Sequence, residues 1–135
     1  DLVLAINSAR MEAVKRNAST QLCSNSAAAN NTDALGTQCG TQTGAVLVLV
    51  GGSPATTATV LAATPGIATP IQLKGNVKAL RFSGQGLARS ATATGPYNGL
   101  VADICTSQMT TNNHRVINMT AGSILATTPS SGACP

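Results

Sequence analysis

The sequence predicts an α+β domain, an N-terminal α-helix laid across an antiparallel β-sheet body. Three observations lead there: a helical segment without Gly or Pro at the start, short β-prone runs behind it, and four cysteines without a metal-ligand spacing. The chain has 135 residues, enough for one domain spanning 1–135 with a single modest core. Its apolar content is 43% but its aromatic content only 1%, with no Trp, one Phe (Phe82) and one Tyr (Tyr97). Charged residues make up 9% and the net charge is +4. A charge-driven coiled coil and an acidic disordered tail are therefore excluded. Recognition of single strands by base stacking lacks the flat side chains it needs.

Residues 1–17 contain good helix formers throughout. On a wheel of about 100° per residue, Leu2, Ala5, Ile6, Ala9 and Ala13 form one stripe, suited to cover the sheet. Val3, Leu4, Met11 and Val14 form a second stripe on nearly the opposite side, which suggests packing against a helix of a neighbouring subunit. The plainer reading is a set of ordinary exposed apolar residues near a chain end. Past Asn17 the expected strands are Ser19–Ser24, Ala45–Gly51, Thr59–Ala63, Val77–Ser83, Leu87–Ala91, Leu100–Thr106, His114–Thr120 and Ile124–Thr128. Turn chemistry separates them at Asn30-Asn31-Thr32-Asp33, Gly51-Gly52-Ser53-Pro54, Thr64-Pro65-Gly66, Gly84-Gln85-Gly86, Gly95-Pro96-Tyr97-Asn98-Gly99 and Thr110-Thr111-Asn112-Asn113. The longest uninterrupted apolar run, Ala45 to Val50, suits a buried strand and is far short of the ~20 residues a membrane-spanning helix needs. The chain opens inside an apolar periodic segment, so removal of an upstream segment is expected.

Cys23, Cys39, Cys105 and Cys134 are even in number and lack a C-x-x-C pair, so disulfides are the first reading. Three connectivities exist. Pairing Cys23 with Cys39 and Cys105 with Cys134 closes the shortest loops, each worth roughly 3 kcal/mol through the unfolded chain. The alternative is four buried thiols in a reducing compartment.

Chemistry beyond this is sparse. His114 with Asp103 is only superficially like part of a Ser-His-Asp triad, because no G-x-S-x-G elbow supplies a nucleophile; His114 is expected at the surface, where a strand begins. Neither catalysis, a metal site nor a cofactor is expected. Lys74, Lys78 and Arg81, with Arg89 nearby, could meet phosphates; a solvated strand face is the preferred reading, since +4 over 135 residues is a weak field. Glu12 and Arg16 have the spacing of a helical ion pair. The N-x-S/T triplets at Asn17, Asn30 and Asn118 are attributed to composition.

The run Leu2-Val3-Leu4-Ala5-Ile6-Asn7-Ser8-Ala9-Arg10-Met11-Glu12-Ala13-Val14-Lys15-Arg16-Asn17, followed by Gln21-Leu22-Cys23, resembles the helix exit of the GspH/FimT family of type IV pilin-like proteins. There an A-R-x-E-A-x-x-R-N signature leads into a first strand ending in Cys. Leu80-Arg81-Phe82-Ser83-Gly84-Gln85-Gly86 resembles the family's F-x-x-x-G element, and Cys105 followed by Arg115-Val116-Ile117-Asn118-Met119 resembles its penultimate strand. The resemblance implies a pilin-like fold with two small sheets and a cleaved leader. It also implies an apolar helix half, absent here, that anchors in the inner membrane of a Gram-negative bacterium before assembly into the filament. The implied partners are other minor pilins and the major pilin. Arg10, Lys15 and Arg16 would then face acidic groups on adjacent subunits.

Among relatives the two-bridge pattern looks most like the minor pilins FimU and FimT, which implies a structural subunit of the tip or priming complex in a periplasmic and then extracellular location. A DNA-binding competence pilin and a type II secretion pseudopilin are the alternatives. Two departures bear on them. Where DNA-uptake relatives carry G-R-x-R, this chain has Ala121-Gly122-Ser123-Ile124-Leu125, and the Trp segment before the second strand is replaced by Thr41-Gln42-Thr43-Gly44-Ala45-Val46-Leu47. Nucleic acid is thus the disfavoured partner.

Overall fold

The architecture is that of a computed structural model, which describes residues 2–52, 54–65 and 67–135. The first helix, α1, runs Leu2–Arg16 and ends as its sequence dictates. Asn17 takes the left-handed conformation (φ 48°), its N–H donates to Val14 O, and the N–H of Ala18 donates to Ala13 O. That pair of bonds is the Schellman motif, which satisfies carbonyls the helix end would otherwise leave open. Lys15 and Arg16 in the last turn complement the helix dipole.

Nine strands follow: β1 (Thr20–Leu22), β2 (Val46–Val50), β3 (Thr56–Leu61), β4 (Ile71–Leu73), β5 (Leu80–Phe82), β6 (Ala88–Ser90), β7 (Gly99–Thr106), β8 (His114–Thr120) and β9 (Ile124–Ser130). They build two antiparallel sheets, a five-stranded one in the order β3-β2-β1-β5-β6 and a four-stranded one in the order β4-β7-β8-β9. The predicted fold class is therefore correct in its helix, in its strand direction and in having two sheets.

The buried stripe of α1 is the one the wheel predicts: Leu2, Ala5, Ile6, Ala9 and Ala13 are all buried. Three alanines on this stripe let the helix lie close to the strands, and Thr20 on β1 donates its hydroxyl to Ala9 O at 2.7 Å. Leu22, Val46, Leu80 and Phe82 from the first sheet meet Ala102, Ile117 and Met119 from the second in the same core. The single Phe sits at full burial in the middle of it, so a chain poor in aromatics places its one benzyl side chain where it buries most area.

The sequence reading departs from the structure at several elements. Residues 30–33, expected as a plain loop, close a 3-10 turn (Ala27–Asn30) and cap a second helix, α2 (Ala34–Cys39). Asp33 caps it by accepting from the N–H of Gly36 at 3.0 Å. Gly36 is required by space: a Cβ there would lie 2.1 Å from Asn30 O. Strand β4, absent from the prediction, exists through its pairing with β7 (Gln72 opposite Cys105). Strand β3 starts at Thr56 rather than Thr59, and the strand expected over 77–83 shortens to Leu80–Phe82. Of the predicted turns, Ser53 and Gly66 lie outside the described residues.

Because α2 lies over the first sheet on the side away from α1, that sheet is covered on both faces. Strands β1 and β5 are buried at every position. Leu35, Leu47, Ala45, Cys23 and Cys39 form a second, smaller core under α2. The Cys23–Cys39 disulfide closes that layer, and Cys105–Cys134 ties the C-terminal tail to β7.

The two sheets are stitched at Gly122, in the turn between β8 and β9. Its N–H donates to Tyr97 O and its carbonyl accepts from the N–H of Ala88 on the edge strand β6. A Cβ at this position would lie 2.6 Å from Ala88 O, and the φ of +69° also favours glycine.

Candidate assembly surface

The outward face of α1 carries the second stripe. Leu4, Met11 and Val14 are 58%, 68% and 52% exposed. Val3 differs from the other three: it is half-buried and packs partly against the main core. Glu12, the acid of this helix, is engaged within it, bound to Arg16 at 2.7 Å and 4.0 Å from Lys15. The Ser83–Leu87 turn abuts the helix end, where Gly86 (φ +80°) approaches so closely that a Cβ would stand 3.1 Å from Val14 Cγ2. Leu87 beside it is exposed. Met11 and Val14 sit in the last two turns of the helix.

Arg10, also on α1, does not point outward to meet an acid. Its Nη2 donates to Ser123 O in the β8–β9 turn, and its guanidinium lies 5.9 Å from the Phe82 ring centroid. It braces the helix against the second sheet.

The four basic residues read as phosphate contacts differ in their surroundings. Lys74 is exposed at the end of β4, and Lys78 Nζ lies 5.3 Å from the Tyr97 ring. Arg81 is buried, correcting its reading as part of a solvated strand face. Its guanidinium forms a two-pronged pair with Asp33, one bond being Nη2 to Oδ1 at 2.9 Å, and its Nε donates to Gln21 Oε1 at 3.1 Å. Arg89 lies directly opposite Arg81 in the β5–β6 pair and donates to the carbonyls of Ser90 and Ala93. Arg81 is therefore unavailable to a polyanion.

This polar layer continues inward. Gln21 donates to Asn30 O at 2.9 Å, and Asn30 donates to Ser24 O and Gly40 O while accepting from the Ser24 N–H. Gln21 and Asn30 are fully buried, and each bond satisfies a group whose desolvation would otherwise be costly.

The hydrogen bonds from Arg81 hold the Asp33 carboxyl below its ordinary value of 3.8; burial opposes this, while the Gly36 N–H and the charges of Arg81 and Arg89 reinforce it. A lowered carboxyl contributes stability that is complete above the unfolded value and is lost as pH falls through the lower folded one. Acid unfolding followed between about pH 4 and pH 2 is expected to be shallower for Asp33→Asn, which retains a capping side chain but no charge. Equal slopes for the two proteins would contradict this role.

His114 also departs from expectation: it is buried, not at the surface. Its Nδ1 lies 2.8 Å from Asp103 Oδ1 and its Nε2 3.3 Å from Gly132 O. Both ring nitrogens face acceptors, so the position a serine nucleophile would occupy is held by a carbonyl. With Asn113, which bonds Gly132 in both directions, His114 fastens the C-terminal tail. Among the described residues no group of three His, Cys, Asp or Glu is placed to hold a metal ion, and no helix is long and apolar enough to cross a membrane.

The sequence model of one protein family, described as type II transport protein GspH, matches residues 1–123. No curated relative and no solved structure matches the chain.

Proposed function

The chain belongs to the GspH family, and from that premise we propose that it is a minor type IV pilin, a non-enzymatic subunit of the complex that primes and caps the pilus. The observation that carries this reading is the outward face of α1, where Leu4, Met11 and Val14 stand exposed on a helix whose opposite stripe is fully used by the domain's own core. Such a helix is ready to pack a second time, against the helices of other pilins. The two disulfides accord with an oxidising periplasm before assembly and an extracellular place after it.

The test is Met11→Glu in the full-length protein. The site is exposed, so the stability is expected to change by no more than about 0.5 kcal/mol, while co-purification with other pilins and surface piliation are lost. Normal piliation by this variant would defeat the proposal. A pseudopilin of type II secretion is the second reading, favoured by the description of the matching family. Deleting the gene distinguishes them: loss of protein export with pili intact selects the second, and loss of pili with export intact the first.

A further inference from the structure

His114 is buried at the start of β8, and its protonation decides how its surroundings are satisfied. Its Nδ1 lies 2.8 Å from Asp103 Oδ1 on β7, and its Nε2 lies 3.3 Å from Gly132 O in the C-terminal tail. A carboxylate and a carbonyl are both acceptors, and a neutral imidazole has one N–H to offer the two of them. With the proton on Nδ1, the Nε2 lone pair points at the Gly132 carbonyl; with the proton on Nε2, a lone pair meets the Asp103 carboxylate. The imidazolium donates to both. The other groups around the ring leave this count unchanged. Cys105, opposite His114 on β7, is bridged, and Ser130, opposite it on β9, is uncharged. Residues 124–135 carry no charged side chain. Arg115 follows His114 on β8, so its side chain leaves the other face of the strand, where it donates to the backbone carbonyls of Asn112 and His114. Lys74, just past β4, is exposed and meets Asp103 through its backbone N–H, which donates to Asp103 O.

We infer that His114 is a pH-sensitive latch on the C-terminal tail: as an imidazolium it clasps Gly132, and when the ring gives up a proton to solvent it lets go, opening the Cys105–Cys134 bridge to reduction. The tail has its other side-chain holds close by. Asn113 bonds Gly132 in both directions, and the Asn112 N–H donates to Ser131 Oγ. All three anchoring residues are consecutive, so a lone pair turned on the Gly132 carbonyl acts at the centre of one clasp. Gly132 is also where the tail comes close to the ring, since a Cβ there would stand 3.7 Å from His114 Nε2. Cys105 is buried and Cys134 half-buried, so a reductant reaches the sulfurs more readily once the tail has moved. The other bridge supplies a built-in reference. Cys23 and Cys39 are fully buried in the small core under α2. Asp33, which caps that helix, is held below its ordinary carboxyl value and so stays ionised where imidazoles titrate.

The test is the rate at which a phosphine reduces each bridge in the same sample, read by alkylation and peptide mapping across the pH range in which imidazoles titrate. Dividing the Cys105–Cys134 rate by the Cys23–Cys39 rate cancels the reductant's own pH dependence. The expected ratio rises by about tenfold with pH, the weight of one hydrogen bond to a charged group, and its midpoint coincides with the titration of the His114 ring followed by NMR. In His114→Gln the ratio is expected to stay flat. In Asp103→Asn the midpoint is expected to fall to lower pH, because the carboxylate that favours the charged ring is gone. Melting curves establish that each variant is folded, and where His114→Gln is not, Asp103→Asn carries the test. A flat ratio in the unaltered protein, a rise that persists in His114→Gln, or a midpoint that ignores Asp103→Asn overturns the latch.

Discussion

Arg81→Ala is expected to destabilise the protein by about 2–3 kcal/mol, a fall of about 10 °C in Tm for a domain of this size. The Arg81 side chain is 9% exposed and that of Asp33 is 45% exposed, so the partners lose different things when the pair is broken. Asp33 can rehydrate, which places the loss below the 3–5 kcal/mol typical of a fully buried pair. Gln21 cannot. Among the described residues its Oε1 accepts from Arg81 alone, and it lies fully buried between β1 and the α2 layer. Truncation thus leaves a desolvated acceptor unpaired and a cavity beside it. Arg81→Lys is expected to recover only part of the loss, because an ammonium reaches one partner where the planar guanidinium reaches two. Urea denaturation of the three proteins provides the measurement, and a loss for Arg81→Ala below about 1 kcal/mol would show that the network contributes little.

The same residue explains why the sequence was legible at one face of the domain and opaque at the other. The α1 stripe is periodic over five positions, and all five are buried. Strand β8 matches its expected limits, His114–Thr120. What the pattern missed is one layer. Residues 34–39 form a six-residue helix containing Gly36, too short and too weak in propensity to register by periodicity. Without α2, the strand positions facing it look exposed, and a cation at position 81 reads as solvent-facing. The signal that was present is local: Asp33 before a short run ending in a bridged Cys39 is cap chemistry at the start of a helix. Strand β4 was invisible for a different reason, since three residues take strand form only because β7 supplies their partners.

Removal of the two disulfides separates two accounts of what they do. Loop-closure entropy alone ranks them by span: the 16-residue separation of Cys23–Cys39 is worth about 3 kcal/mol and the 29-residue separation of Cys105–Cys134 about 3.6 kcal/mol. The native structure reverses this order. Cys23 and Cys39 are fully buried within the small core that holds α2 on the sheet, so C23A/C39A removes packing and frees the helix that carries Asp33. Loosening α2 then also weakens the Arg81 pair, a coupled loss outside the loop term. Cys134 is half-buried in a tail that Asn113 and His114 still hold through Gly132 after C105A/C134A. The first double variant is therefore expected to lose more than the second, by about 1 kcal/mol or more, in chemical denaturation under matched conditions. Combining Arg81→Ala with C23A/C39A is expected to cost less than the two losses added, because both act through α2. A larger loss from C105A/C134A, or strict additivity with Arg81→Ala, would return the explanation to the unfolded chain.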